Sequence, residues 1–439
     1  MVPSHASYVT LPDGTLKHIH PITGTEVWTV PSRAARPFVN RQHVVPKPLP
    51  SREKEDFCDF CEAHYLKTPP EKSRLIQTGE DKFQTFEHLS PDSVKFTKAA
   101  FRRLENLFEI VTFDYWVKNH QVALSPSQAL WKKEYLENPQ GLLHVQDLMR
   151  VKLKLGGRSS TDIESLIAAP PQGFFDSFFG GTHEVLATGH HFRPGATHDN
   201  QLFSSGEMTQ AEHAAFLGFA AQAALDIQTN NPKVLYVAIF QNWLRAAGAS
   251  FDHLHKQVVG MDEWGPVVEK RLQRSTEDPG LFNESIVDFA AKAGLLVAEN
   301  DHAIALSEFG HPYPTLAVYS KSKTLRPWEQ SPEEVRAMSD LLHACHRAAG
   351  PDIPCNEIWF YTPAKATTPF PWHILIQWRT VTAAGFEADT QIFVNPVPPL
   401  AFKEQLVERL LNLKSEGKIT DIRIGQEINH KPNSLLYNR

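Results

Sequence analysis

The stretch Gly248-Ala249-Ser250-Phe251-Asp252-His253-Leu254-His255-Lys256-Gln257 sets two histidines two residues apart, with a glutamine two further on, at the head of an apolar run. Leu254 to Gly260 reads as a strand. Because side chains alternate across a strand, His253, His255 and Gln257 are expected on one face, where two imidazoles and an amide converge on a single ligand. That set suits phosphate chemistry. A neutral imidazole attacks phosphorus and carries it as a covalent intermediate, while an amide N–H donates to the developing oxyanion. His255 is the candidate nucleophile and Gln257 the candidate donor. An H-x-H pair alone is more often a polar face at a sheet edge, so the reading depends on the rest of the chain.

Working outward, two segments share one layout. Thr209-Gln210-Ala211-Glu212 is a capping box opening a helix to about Asp226, followed by a strand-like run from Val234 to Phe240 and then the His253 motif. Ser331-Pro332-Glu333-Glu334 opens a second helix to about Ala348, followed by Glu357 to Tyr361 and then Trp372-His373-Ile374-Leu375-Ile376-Gln377. The intervals match closely and both copies end in H-x-x-x-Q, which indicates an internal duplication. Aligned on that echo, His255 faces Leu375 and only the first copy keeps the nucleophile. Strand candidates precede each helix: His183 to Ala187 in the first copy, His302 to Leu306 and Thr315 to Tyr319 in the second. Strands interrupted by one long helix predict an antiparallel α+β unit occurring twice. We divide the chain into residues 1–265, with an insertion at about 120–174, and residues 266–439. The helix from about Ala401 to Leu413 is amphipathic and expected to pack.

The 439 residues suffice for two or three domains, and 41% hydrophobic with 21% charged residues describes an ordinary globular chain. A net charge of −6 offers no broad basic surface for nucleic acid. No apolar run approaches the roughly 18 residues of a membrane span, and Met1-Val2-Pro3-Ser4-His5 has no leader character, so a cytoplasmic, non-membrane protein is expected. Four cysteines argue against a disulfide scaffold. Cys58 and Cys61 form one C-x-x-C, which leaves metal binding or redox chemistry open. A tetrahedral Zn²⁺ needs two further ligands, and His190, His191 and His253 are available. Near the N-terminus, Arg33 and Arg36 lie on a loop where two guanidinium groups can fork around a diphosphate; for the pair on its own, two solvated surface arginines are the favoured reading.

Together these pieces resemble the galactose-1-phosphate uridylyltransferase branch of the histidine-triad (HIT-like) superfamily. The matching signals are Pro21 to Pro37 (P-x-T-G…P-x-R-A-x-R-P), Cys58-x-x-Cys61, and His183-Glu184-Val185 leading to His191. They continue with Phe240-Gln241-Asn242 through Ser250 to His253-x-His255-x-Gln257, Gly385-Phe386-Glu387, and Phe393 to Pro399. The resemblance spans most of the chain and implies an α+β fold of two tandem HIT-like domains, with antiparallel sheets and packed helices. It implies a structural zinc held by Cys58, Cys61, His191 (or His190) and His253, and a nucleotidylyl-histidine at His255. Gln257, Ser250 and Asn242 would hold phosphoryl oxygens, Arg33 and Arg36 the nucleotide phosphates, and Phe386 and Glu387 the hexose. Arginines that cross a subunit boundary would make a symmetric homodimer.

The implied activity is ping-pong transfer of a nucleoside monophosphate from a nucleotide sugar to a sugar 1-phosphate, of the UDP-hexose/hexose-1-phosphate uridylyltransferase type in galactose metabolism. The alternatives are a phosphorylase or an adenylyl or guanylyl transferase of the same chemistry, or a zinc-containing nucleotide-binding protein without catalysis. The departures motivate them: Asp252, Leu254 and Lys256 alter the motif's rim, Val111 to Tyr115 replaces an asparagine-containing nucleotide-binding segment, and no basic residue stands just before Gly385. A second metal site looks depleted, with only His373 retained.

Overall fold

The computed structural model describes residues 8–34, 45–50 and 54–439. Its frame is one twelve-stranded sheet. The strands in chain order are β1 (Tyr8–Thr10), β2 (Leu16–Ile19), β3 (Glu26–Thr29), β4 (Glu71–Gly79), β5 (Lys82–Glu87), β6 (Phe101–Glu105), β7 (His183–Thr188) and β8 (Tyr236–Trp243). They continue as β9 (His255–Met261), β10 (Leu296–Glu299), β11 (Ala303–Glu308), β12 (Thr315–Ser320), β13 (Cys355–Phe360), β14 (His373–Trp378), β15 (Ile392–Val394) and β16 (Arg423–Ile424). The large sheet runs β16-β10-β11-β12-β14-β13-β8-β9-β7-β6-β4-β5, and a small one runs β1-β2-β3-β15.

That order is the expected unit used twice. In each half a hairpin (β8/β9, β13/β14) is flanked by the strand that precedes the long helix (β7, β12), all antiparallel. The halves join where β8 pairs β13 antiparallel, with Asn242 opposite Asn356 and Gln241 opposite Glu357. The helices Gln210–Asn230 and Pro332–Ala349 both carry the capping boxes read from the sequence; Thr209 and Ser331 each accept from the N3 backbone while Glu212 and Glu334 reach back. They pack beside each other on one face of the sheet, and one apolar core with Leu217, Ile239, Val258, Leu341 and Ile376 runs through both halves.

The stretch expected as an insertion is a helical lobe. Helices Pro126–Glu137, Pro139–Leu155, Ser160–Ala168 and Ser177–Gly180 enclose a separate small core around Trp131, Val145, Leu148, Ile163 and Phe178. Its signals stood in the sequence: Ser125-Pro126-Ser127-Gln128 is a capping box with Pro at the first position, and Asn138 and Ser159 cap the next helices. The C-terminal helix spans Pro399–Ser415 and buries Phe402, Leu406 and Leu410 as its pattern predicts. Among the described residues, no helix is long and apolar enough to cross a membrane.

Candidate active site and metal centre

Cys58, Cys61, His191 and His253 converge from three segments distant in sequence, with one ligand atom of each within 4.8 Å of the others. The sulfurs lie 3.7 Å apart, and Nδ1 of His191 and His253 lies 3.3 and 3.4 Å from Cys58 Sγ and 3.5 and 3.9 Å from Cys61 Sγ. A tetrahedron with Zn–S near 2.3 Å and Zn–N near 2.0 Å has edges of about 3.3–3.8 Å, so the spacing fits Zn²⁺. The tautomer fits too. His253 Nε2–H donates to the Thr188 carbonyl at 2.7 Å, leaving the Nδ1 lone pair aimed at the sulfurs. The hydrogen bond from Cys58 pulls the Cys61 thiol down, helped by His191 and His253, while the same bond and burial push Cys58 up; one thiolate is already favoured. His191 is the residue brought to this group. His190 instead packs against Phe203.

His253 also connects the cluster to the candidate nucleophile. Its backbone carbonyl accepts from His255 Nδ1–H at 2.8 Å, which leaves His255 Nε2 with a free lone pair. Burial lowers the pKa of His255, so the ring is neutral. Phe60, from the C-x-x-C loop, stacks over it at 6.0 Å and 21°, and Phe251 meets its edge at 6.3 Å. His255 opposes Ala187 on β7, and Gln257 opposes Val185 on β7 and Phe240 on β8. The two side chains therefore share a face, as the alternation predicts.

The Gln257 amide is held in one orientation. The Ile110 N–H donates to His183 Nδ1 at 2.9 Å, so His183 Nε2 carries the ring's proton and donates to Gln257 Oε1 at 3.0 Å. Asn106 Nδ2 lies 3.1 Å from the same His183 nitrogen, but the Ile110 N–H can only donate and settles the tautomer. Gln257 thus keeps its NH₂ group for a ligand. Asn242, in line with His255 across the β8/β9 pair, receives Asn356 Nδ2 on its Oδ1 at 2.7 Å. Ser250 is exposed on the loop leading into β9. The sequence gives neither His183 nor Asn356 a role: the first stands at a strand start and in the His183-Glu184-Val185 signal, and the second has no motif around it.

The remaining expected residues lie elsewhere. Arg33 is exposed on the short helix Pro31–Ala34 that follows β3, not on a loop, and Arg36 falls outside the described residues. Phe386 and Glu387 sit on the short helix Gly385–Thr390 beside β15, with Phe386 near Trp28 at 6.5 Å. Glu387 Oε2 accepts from Ala384 N at 2.9 Å, capping its own helix. Among the described residues, no hydrogen bond or ring contact links Arg33, Phe386 or Glu387 to the His255 group.

The second copy corrects one alignment. Thr188 N donates to Leu254 O as Ser320 N donates to Trp372 O, and His373 Nδ1 donates to Pro371 O at 2.8 Å as His255 does to His253 O. His373, not Leu375, is therefore the counterpart of His255, and the H-x-x-x-Q echo is two residues out of register. The long helix is shorter in the second copy, 18 residues against 21, which hid the shift. His373 is walled in by Phe282, Tyr319, Phe360 and Phe370, and burial holds its pKa down to about 3. Nearby, His20, Glu308 and His311 also bring ligand atoms together. There His20 Nδ1 accepts from the Ile22 and Thr23 amides at 3.3 and 3.1 Å, so Nε2 is protonated and stands 3.9 Å from Glu308 without a hydrogen-bond partner, while Glu308 accepts from Tyr319 and His311.

A family model described as Domain of unknown function (DUF4921) matches residues 11–437. The chain belongs to that family. This DUF4921 chain is 24% identical over 173 residues to the ADP-glucose phosphorylase of Arabidopsis thaliana, a match covering 37% of this chain and 49% of the relative. The sequence match thus spans about half the length of that curated relative. In structure, the chain superposes on an Arabidopsis thaliana ADP-glucose phosphorylase with bound ADP-glucose at a TM-score of 0.56 and 16% identity, over 89% of this chain and 97% of the other. A GalT-like protein from Arabidopsis thaliana matches at 0.56 and 15% over the same shares. This DUF4921 chain therefore shares the fold of those two proteins, α+β with antiparallel sheets and packed helices.

Proposed function

We propose that this protein transfers a nucleoside monophosphate from a nucleotide sugar to a phosphate acceptor through a covalent intermediate on His255. The observation that carries the reading is the state of His255: a neutral imidazole with its Nδ1–H engaged and its Nε2 free, flanked by two amides, Gln257 and Asn242, whose oxygens are occupied and whose NH₂ groups are left to donate. Nε2 attacks the α-phosphorus and the bond to the bridging oxygen breaks. The sugar 1-phosphate leaves as an anion that needs no proton. A phosphate oxygen of the acceptor then attacks, the P–N bond breaks, and neutral His255 is regenerated. The amides donate to the non-bridging oxygens, whose charge is greatest in the transition state. Zn²⁺ held by Cys58, Cys61, His191 and His253 would be structural, fixing the carbonyl that orients His255. Ser250, exposed at the loop, and Arg33, Arg36 and Phe386 complete the site in this reading, the last three from a second subunit of a homodimer. The two units divide near residue 265.

The acceptor is inorganic phosphate in the version we favour, which makes the protein a nucleotide-sugar phosphorylase. The name of the Arabidopsis relative supports this. The UDP-hexose/hexose-1-phosphate transfer is the second reading. Incubation with UDP-, ADP- and GDP-sugars followed by intact-mass measurement is expected to show a nucleotidyl adduct absent from His255→Ala. Chasing the adduct with phosphate or with a hexose 1-phosphate identifies the acceptor. No adduct with any donor, in folded zinc-loaded protein, would sink the reading.

A further inference from the structure

The two amides beside His255 are not oriented by the same half of the molecule. Gln257 is set by His183 on β7, within the first half. Asn242 is set from across the seam between the halves. Arg379, just beyond β14, donates from a guanidinium NH₂ to Asn356 Oδ1 at 2.7 Å. Asn356 Nδ2 donates to the Ala247 carbonyl at 2.7 Å and to Asn242 Oδ1 at 2.7 Å. Both ends of this relay are chemically unambiguous. A guanidinium can only donate and a backbone carbonyl can only accept, so the Asn356 amide has one permitted orientation, and that orientation permits only one for Asn242. The Asn242 oxygen faces the seam and its NH₂ group is left for the site. The register places the parts in line, because Gln377, Asn356 and Asn242 are directly opposed across β14, β13 and β8, and His255 follows on β9.

We propose that Asn356 and Arg379 are positioning residues for nucleotidyl transfer, acting through Asn242 to keep an N–H rather than a carbonyl oxygen aimed at the phosphoryl group. The proposal rests on reading His255 as the nucleotidylated residue. It gives the second half of the chain a defined part in the chemistry. The half that has walled in its own histidine supplies the group that fixes the polarity of a donor in the other half. Asn356 is buried at 7% exposure and Arg379 is half-buried over the ring of Tyr313, its centre 4.4 Å away, so neither pivots freely. Without the relay, an Asn242 amide turned the other way presents a carbonyl oxygen to an anionic phosphoryl group, which is repulsive where it was attractive.

The test uses the full-length zinc-loaded protein and the donor sugar nucleotide that labels the wild type, with the single-turnover rate of adduct formation followed by intact mass. Asn356→Asp retains an acceptor for Arg379 but cannot donate to Asn242, so the Asn242 amide must turn. We expect at least a tenfold fall in the saturating rate, with the half-saturating donor concentration within about threefold and zinc content unchanged. Arg379→Met, on a half-buried side chain and therefore safe for folding, is expected to slow the step several-fold by releasing Asn356. The decisive comparison is the double variant Asn242→Ala/Asn356→Asp: a relay predicts it is no slower than Asn242→Ala alone, whereas independent structural damage multiplies. If Asn242→Ala is slow but Asn356→Asp and Arg379→Met stay within twofold of wild type, or if the effects multiply, the proposal is overturned. An unlabelled wild type, or a full-speed Asn242→Ala, overturns the reading beneath it and the proposal with it; that result is distinct from a missing defect at Asn356.

Discussion

Lys256 stands between His255 and Gln257 and so turns to the opposite, helix-covered face. There Nζ meets Glu357 of β13 and lies 3.2 Å from Gln241 Oε1, with the two charged side chains 1% and 0% exposed. Glu357 also accepts from His346 Nε2 at 2.8 Å and Trp359 Nε1 at 2.7 Å, and Lys256 with His346 holds its carboxyl far below the usual carboxylate range despite burial. Lys256→Met keeps most of the stem and removes the cation, leaving a buried anion short of its main partner. Breaking a buried pair in this way costs about 3–5 kcal/mol, and the two remaining donors place this case near 3 kcal/mol. With an unfolding entropy of about 2.1 cal/mol/K per residue over 439 residues, that is a fall of only about 3 °C in Tm, so urea unfolding is the better assay. Adding Glu357→Gln removes the stranded charge and is expected to recover at least about half of the loss. A single variant within about 1 kcal/mol of wild type, or a double variant no more stable than the single, would refute the electrostatic account.

Three further outcomes are expected. Cys58→Ser or His253→Asn releases bound zinc and lowers stability, since the binding free energy of a closed site is folding free energy; unchanged zinc content by elemental analysis with unchanged unfolding would remove the site. Gln257→His adds a third imidazole able to protonate a leaving group, and hydrolysis of the adduct is expected to rise against transfer; a product ratio equal to wild type in a chase with labelled acceptor would contradict the role given to the amide. Stability falls as pH drops. Burial depresses His18 and His20 to about 4 and His343 and His373 to about 3, so below about pH 6.5 the unfolded chain binds more protons than the folded one, and stability is lost progressively down to those values. A urea midpoint flat between pH 6.5 and 4 would be inconsistent with those buried neutral rings.

What the sequence disclosed was whatever is encoded locally. Thr209 with Glu212 and Ser331 with Glu334 form each cap within four residues, and the alternation from His255 to Met261 fixes which side chains share a face. Cys58-x-x-Cys61 carried its own signal because two thiolates at that spacing clamp one ion. The Ser125 capping box was equally local, but no repeat or motif drew attention to it. Contacts closed between distant segments had no such mark. Nothing near Asn356 or Arg379 shows that they meet Asn242, and the β8/β13 pairing is a choice among edges that no local pattern specifies. The register of the second copy is hidden for a related reason: the H-x-x-x-Q echo runs along the chain, whereas the three residues missing from the second long helix show only once the strands are paired.

The antiparallel join of β8 to β13, with Phe240 directly opposite its counterpart Ile358, has the geometry of a two-fold contact between identical subunits. Once such a contact lies within one polypeptide, dilution can no longer separate its sides, and a change in one copy is no longer repeated in the other. A symmetric pair must keep every substitution tolerable twice. A covalently joined pair can retire one reacting centre, surround its imidazole with aromatic rings, and recruit that side's strand edge to brace the other. The asymmetry of this molecule, one imidazole beside two amides and one enclosed by aromatic rings, is the freedom that fusion grants.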